Sequence, residues 1–131
     1  MNQLPRATHL SFVKDGHVLL IDDDDDLRDA VSDLLALFGA PCLALPSLEA
    51  LTAAAGAAMR CKLAILDVNL GDGQPSGVDA YEWLRAHGFP GRIVFLTGHA
   101  VSHPAVARAA SLGVQVLAKP IESAQLRALV T

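Results

Sequence analysis

Short apolar runs alternate along this chain with segments whose apolar residues recur every three or four positions. His17-Val18-Leu19-Leu20-Ile21 is the first run, and it stops at five consecutive aspartates, Asp22 to Asp26. A run of this length, apolar at every position, suits a strand buried on both faces. Leu27, Val31, Leu34, Leu35 and Phe38 then follow at helical spacing, with Gly39 as the stop. The rhythm repeats. Pro41–Leu45 predicts a second strand, and Ser47 is placed to cap an Ala-rich helix over 48–58. Leu63-Ala64-Ile65-Leu66 predicts a third strand ending at Asp67, and a Gly-rich loop from Gly71 to Gly77 leads to a helix carrying Val78, Tyr81 and Leu84. Arg92–Leu96 predicts a fourth strand ending at Thr97. Ser102 or His103 can cap the next helix, with Pro104 in its first turn. Val114–Ala118 predicts a fifth strand ending at Lys119, and Ser123–Val130 a last helix.

Five strand–helix units predict an α/β fold, a doubly wound five-stranded parallel sheet with helices on both faces. Right-handed crossovers bring the C-terminal ends of all strands to one edge, where ligands of open α/β sheets bind. Residues 1–16 show no period and read as a leader with a short extended piece at His9–Val13; one domain occupies 17–131.

Composition narrows the function. Hydrophobic residues make up 52% of the 131, enough for one core of this size. The net charge is −4, with no basic stripe and few aromatics, so direct nucleic-acid binding is disfavoured. Cys42 and Cys61 match no metal or redox spacing and suggest a reducing compartment. No apolar run approaches the roughly eighteen residues of a membrane helix, and no signal peptide opens the chain. A cytoplasmic location is expected.

The chemistry lies at the strand ends. Asp24, Asp25 and Asp26 read as a solvated helix N-terminus, where the macrodipole favours anions. Asp22 and Asp23 abut a buried strand, and Asp67 ends its neighbour. Carboxylates converging there are costly unless a cation neutralises them, and oxygen ligands of this kind suit Mg²⁺. Lys119 supplies a positive charge opposite them, and Thr97 a hydroxyl. A cation, an ammonium and a hydroxyl around a nucleophilic carboxylate form a cage for a phosphoryl group in transit.

With these residues placed, the chain resembles a response-regulator receiver domain of two-component signalling, a flavodoxin-like (βα)5 fold, over about His17 to Val130. The matching strings are LLIDDD, LAILDVNL, IVFLTGHA and VLAKPI, and the intervals are 44 residues from Asp23 to Asp67, 30 to Thr97 and 22 to Lys119. The resemblance implies that Asp67 is the phosphoacceptor, served by a sensor histidine kinase or histidine phosphotransfer protein. It implies Mg²⁺ at Asp22, Asp23, Asp67 and the backbone carbonyl of Asn69, and a phosphoryl contact from Lys119. It implies inward movement of Thr97, a cis Lys119-Pro120 bond, and switching of a face toward an output partner. That face, built by the helix after the fourth strand, the fifth strand and the last helix, also offers a homodimer surface. Asn69 and His99 fall where the family lines the path of the hydrolytic water, so His99 is expected to tune phosphoryl lifetime. The implied role is signalling, not enzymatic turnover of a separate substrate.

Two features depart from the family pattern. Val116 stands three residues before Lys119, where an aromatic is usual, which bears on switching. Gly71 stands where Pro is common, and the Gly expected eight residues after Asp67 is Gly77, ten after it. That implies a two-residue insertion in Gly71–Ser76, with a compensating deletion between Gly77 and Arg92. Two other readings compete. A phosphorylation-independent interaction module of the same fold is favoured by Val116 and the loop, and opposed by Asp67, Thr97 and Lys119. An aspartyl phosphatase of the haloacid dehalogenase type needs a second acid two residues after the nucleophile, where this chain has Asn69. A stand-alone receiver and a piece of a longer regulator or hybrid kinase both fit the sequence.

Overall fold

The computed structural model describes residues 18–98 and 103–131. The leader, its extended piece and His99 lie outside the described residues, as does Ser102. The elements are β1 (Val18–Ile21), α1 (Asp25–Leu37), β2 (Cys42–Leu45), α2 (Leu48–Ala53, resumed as Ala55–Met59), β3 (Leu63–Asp67), α3 (Gly77–Ala86), β4 (Arg92–Thr97), α4 (Pro104–Ala110), β5 (Val116–Ala118) and α5 (Ser123–Val130). Every strand pairs in parallel, in the order β2-β1-β3-β4-β5. This is the flavodoxin-like α/β fold that the sequence predicts.

The two-residue period of a strand divides the core. Leu19, Ile21, Ala64, Leu66, Ile93 and Phe95 point to one face, where they meet Leu51, Val78, Leu84 and Val106 from α2, α3 and α4. Val18, Leu20, Leu63, Ile65, Val94 and Leu96 point to the other, against Val31 and Leu35 of α1 and Leu126 of α5. Burying a Leu of this kind contributes roughly 1.5–3 kcal/mol. The central strands are therefore apolar throughout, because neither face is free. Cys42 packs on one face and Cys61 on the other, and both are free thiols.

Two predicted elements differ in extent. The helix expected over 48–58 breaks at Ala54, whose φ and ψ are −109° and 26°. Both halves stay on the core, through Leu51 before the break and Ala58 after it, and the intervening run of small residues includes Gly56, which weakens a helix interior. The fifth strand is shorter than Val114–Ala118, although pairing reaches back to Gln115, whose carbonyl accepts the Phe95 N–H at 2.8 Å. Ser47 caps α2 as expected, and His103 caps α4.

Candidate functional site

Strand register assembles the site. Ile21 lies beside Leu66, and Leu66 beside Phe95, so Asp22 and Asp67 leave adjacent strands at the same level. Thr97 lies beside Ala118 one strand further on, and Lys119 follows. The Lys119 N–H donates to the Thr97 carbonyl at 2.7 Å, which ties the last two site residues through the backbone. The Lys119-Pro120 bond is cis, as the resemblance implies.

The side chains converge. Lys119 Nζ donates to Asp67 Oδ2 at 3.1 Å and stands 2.9 Å from Asp22 Oδ2. Asp22 is fully buried and Asp67 is 4% exposed, so both carboxylates are withdrawn from water. Asp22 Oδ1 accepts the Asp24 N–H at 3.0 Å, whereas Asp22 Oδ2 has no directed hydrogen bond, only the ion-pair contact. Asp67 Oδ1 accepts a long bond, 3.3 Å, from the Asn69 N–H. Burial of a carboxylate raises its pKa, and a like charge adds to the effect. Burial, and then the charge of Asp22, push Asp67 up to about 7 against the opposing pull of Lys119. Burial pulls the Lys119 ammonium down, but its contacts with Asp22 and Asp67 outweigh this and hold it above the ordinary lysine value.

One carboxylate oxygen from each of Asp22, Asp23 and Asp67 lies within 4.8 Å of the others. Three carboxylates, one of them with a buried oxygen lacking a directed donor, suit a hard divalent cation such as Mg²⁺. Asp23 and Asp67 line an open cleft of about 330 Å³ together with Asp24, Asn69, Gly71, Gly98 and Lys119, with Asp22 buried beside them. Thr97, which ends β4, is 5% exposed. The Asn69 side chain accepts the Gly71 N–H at 3.0 Å. An amide so placed has no proton to give as a general acid, which weighs against the phosphatase reading.

Local structure fixes each part. Asp24 is the N-cap of α1, accepting the Leu27 N–H, and Asp25 and Asp26 occupy its first turn. These three thus act as the solvated helix start the sequence suggests. Ser76 and Asp79 form a capping box at the start of α3. Gly77 opens that helix against the end of β3: a Cβ there would lie 2.1 Å from the Asp67 carbonyl oxygen, so only glycine allows the approach. Gly71 has a φ of +113° in the loop between them. Arg28 is a site residue the sequence reading missed. Its Nη1 donates to the Asp22 carbonyl at 2.8 Å, and its Nη2 pairs with Asp25. Its only signal was being the one cation among the aspartates of Asp22–Asp33. Val116 pairs with Phe95 and packs into the α2–α4 core, where the Tyr81 ring lies 5.8 Å from that of Phe95.

Comparison with known proteins agrees with this geometry. A family model described as "Response regulator receiver domain" matches residues 18–131. No curated protein matches the chain. Among solved structures, the receiver domain of NtrX from Brucella abortus is 21% identical with a TM-score of 0.74, covering 86% of this chain and 93% of its own. A response regulator receiver domain protein from Clostridium thermocellum is 22% identical, TM-score 0.73, with 86% and 89% covered. A CheY-like receiver domain protein from Methanospirillum hungatei is 19% identical, TM-score 0.71, with 86% and 88% covered. At such identities these three share the fold. No helix among the described residues is long and apolar enough to cross a membrane.

Proposed function

Because the chain belongs to the response regulator receiver domain family, we propose that it takes a phosphoryl group onto the carboxylate of Asp67 from the phosphohistidine of a sensor histidine kinase or histidine phosphotransfer protein. The observation that carries this reading is the convergence of Lys119 Nζ on Asp67 and Asp22, at 3.1 and 2.9 Å, beside a third carboxylate at one strand edge. In the reaction, an Asp67 oxygen attacks phosphorus and the bond from phosphorus to the donor's imidazole nitrogen breaks. The electron pair returns to the ring, which leaves as neutral imidazole because its other nitrogen carries a proton, and an acyl phosphate remains. Lys119 stays against the negative phosphoryl oxygens as the Asp67 carboxylate loses its own charge on forming the new bond. The Thr97 hydroxyl donates to one of those oxygens, and its movement biases the face built by α4, β5 and α5 toward an output partner or a homodimer.

Asp22, Asp23, Asp67 and the Asn69 carbonyl hold Mg²⁺ in this reading, and His99 modulates loss of the phosphoryl group. When bound, the ion neutralises the carboxylates and polarises a phosphoryl oxygen. Asp67 must be ionised to attack, and a cation beside it favours that form. Residues 1–16 are assigned as a leader and 17–131 as the receiver domain, in a cytoplasmic protein.

The test is incubation with acetyl phosphate and Mg²⁺, followed by intact mass and a beryllofluoride binding assay. A phosphate adduct present in the native chain and absent in Asp67→Asn and Asp67→Ala is expected. Failure of the native chain to form an adduct and to bind beryllofluoride would overturn the proposal in favour of a phosphorylation-independent module.

A further inference from the structure

The turn from β1 into α1 carries two of the three clustered carboxylates, and it holds them in different ways. Asp22 is fully buried. Asp23 is exposed, yet one of its carboxylate oxygens lies within 4.8 Å of one from Asp22 and one from Asp67. An exposed side chain has little packing to fix it, so the place of the Asp23 carboxylate follows from the backbone that carries it. That backbone is tied on both sides. The Asp24 N–H donates to Asp22 Oδ1 at 3.0 Å, and Arg28 Nη1 donates to the Asp22 carbonyl at 2.8 Å. The two bonds fix the two peptide planes that flank Asp23, one through its nitrogen and the other through its oxygen.

Arg28 is itself well placed for this. Its N–H donates to the Asp24 carbonyl at 3.0 Å, and its Nη2 pairs with Asp25. The Arg28 side chain is 17% exposed and that of Asp25 84%. The pair with Asp25 is therefore largely solvated and weak, whereas the bond to the partly buried Asp22 carbonyl is charge-assisted and stronger. A planar guanidinium serves both acceptors at once, which a single ammonium does less well. Charge alone would give Arg28 the opposite effect at a metal site, because a guanidinium nearby repels a divalent cation. Position and charge thus predict opposite signs when Arg28 is removed.

We propose that Arg28 is a positioning residue for the divalent cation: by fixing the Asp22–Asp23 peptide it holds the Asp23 carboxylate toward Asp22 and Asp67, and this outweighs the repulsion of its own charge. The inference rests on the reading of these three carboxylates as Mg²⁺ ligands. The test measures Mg²⁺ binding to the full chain by calorimetry, with urea unfolding in the absence of Mg²⁺ as the check on folding. Arg28→Gln, which is neutral and too short to reach the carbonyl, is expected to weaken Mg²⁺ binding about tenfold, as loss of a group orienting a metal ligand does. Arg28→Lys should recover part of this loss. In phosphorylation from acetyl phosphate, the Mg²⁺ concentration that gives half the maximal rate should rise by the same factor, while the rate at saturating Mg²⁺ stays near native. Unchanged or tighter Mg²⁺ binding in Arg28→Gln would overturn the proposal. So would no recovery in Arg28→Lys, or a tenfold fall in the rate at saturating Mg²⁺, which would mark general damage to the site. If Arg28→Gln does not fold, Arg28→Lys alone decides: weaker binding is expected, and native or tighter binding overturns the proposal. A native chain that binds no Mg²⁺ would overturn the ligand reading itself, and this inference with it.

Discussion

The two edges of the sheet handle charge in opposite ways. At the C-terminal edge, Asp22 and Asp67 are buried and share one ammonium. At the N-terminal edge, Arg60, Lys62 and Arg92 remain in solvent. Exposed groups of this kind keep much of their hydration whatever else they touch. The first set is withdrawn from water and depends on its neighbours. Burial, and then the charge of Asp22, push Asp67 up to about 7 against the pull of Lys119. A buried charge set with perturbed titration is the mark of a reactive site.

Substitutions should separate the edges sharply. Asp67→Asn is expected to abolish the phosphate adduct, read by intact mass, while leaving the fold intact. Without Mg²⁺ it should also stabilise the chain by about 1–2 kcal/mol near neutral pH in urea unfolding, because it removes a buried like charge beside Asp22. No stabilisation would mean that Lys119 already balances both carboxylates.

The glycines give the next largest contrast. Gly77→Ala would place a Cβ 2.1 Å from the Asp67 carbonyl oxygen, and Gly91→Ala would place one 2.7 Å from the Lys62 backbone. Each is expected to cost about 1–3 kcal/mol by overpacking. Only Gly77→Ala should also slow phosphorylation from a small donor, since it shifts the end of β3. Equal slowing in both would show that the edges are not mechanically separate.

The pH response sharpens the contrast further. The raised Asp67 carboxyl holds its proton more tightly folded than unfolded, so its contribution to stability is full below about 3.8 and is lost as pH rises through about 7. Cation binding requires the ionised form. Mg²⁺ affinity, followed by calorimetry, is therefore expected to climb up to about pH 7 and then level off, and Mg²⁺ should offset the loss of stability. A flat affinity between pH 5 and 7 would contradict this. At the other edge, Arg60→Gln should change stability by no more than about 0.5 kcal/mol, with no pH dependence in this range.

Much of this was legible in the sequence because a buried parallel strand is apolar at every position. Each apolar run therefore marks where its strand stops, and Asp22, Asp67, Thr97 and Lys119 are the residues at those stops. Their coming together follows from parallel order and right-handed crossover alone. What stayed hidden depends on contacts between segments. Arg28 reaches back to the Asp22 carbonyl, which its place inside a helical period does not announce. The break at Ala54 lets both Leu51 and Ala58 reach the core, whereas propensity alone favours an unbroken Ala-rich helix. At the N-terminal edge, Arg60, Lys62 and Arg92 line one open cleft, cations 30 residues apart, counted from Lys62 to Arg92, that only strand pairing brings together.

The division of the core into two apolar layers has a consequence for tolerance to change. Leu35 and Leu126 lie on one side of the sheet, Leu84 and Val106 on the other, and the strands between them are packed on both faces. Side chains so separated share no cavity, so their losses add instead of compounding, within about 0.3–0.5 kcal/mol for well-separated sites. A loss beneath α4 and β5, where Val116 sits, should therefore add its cost to one beneath α1 and α5 without amplifying it.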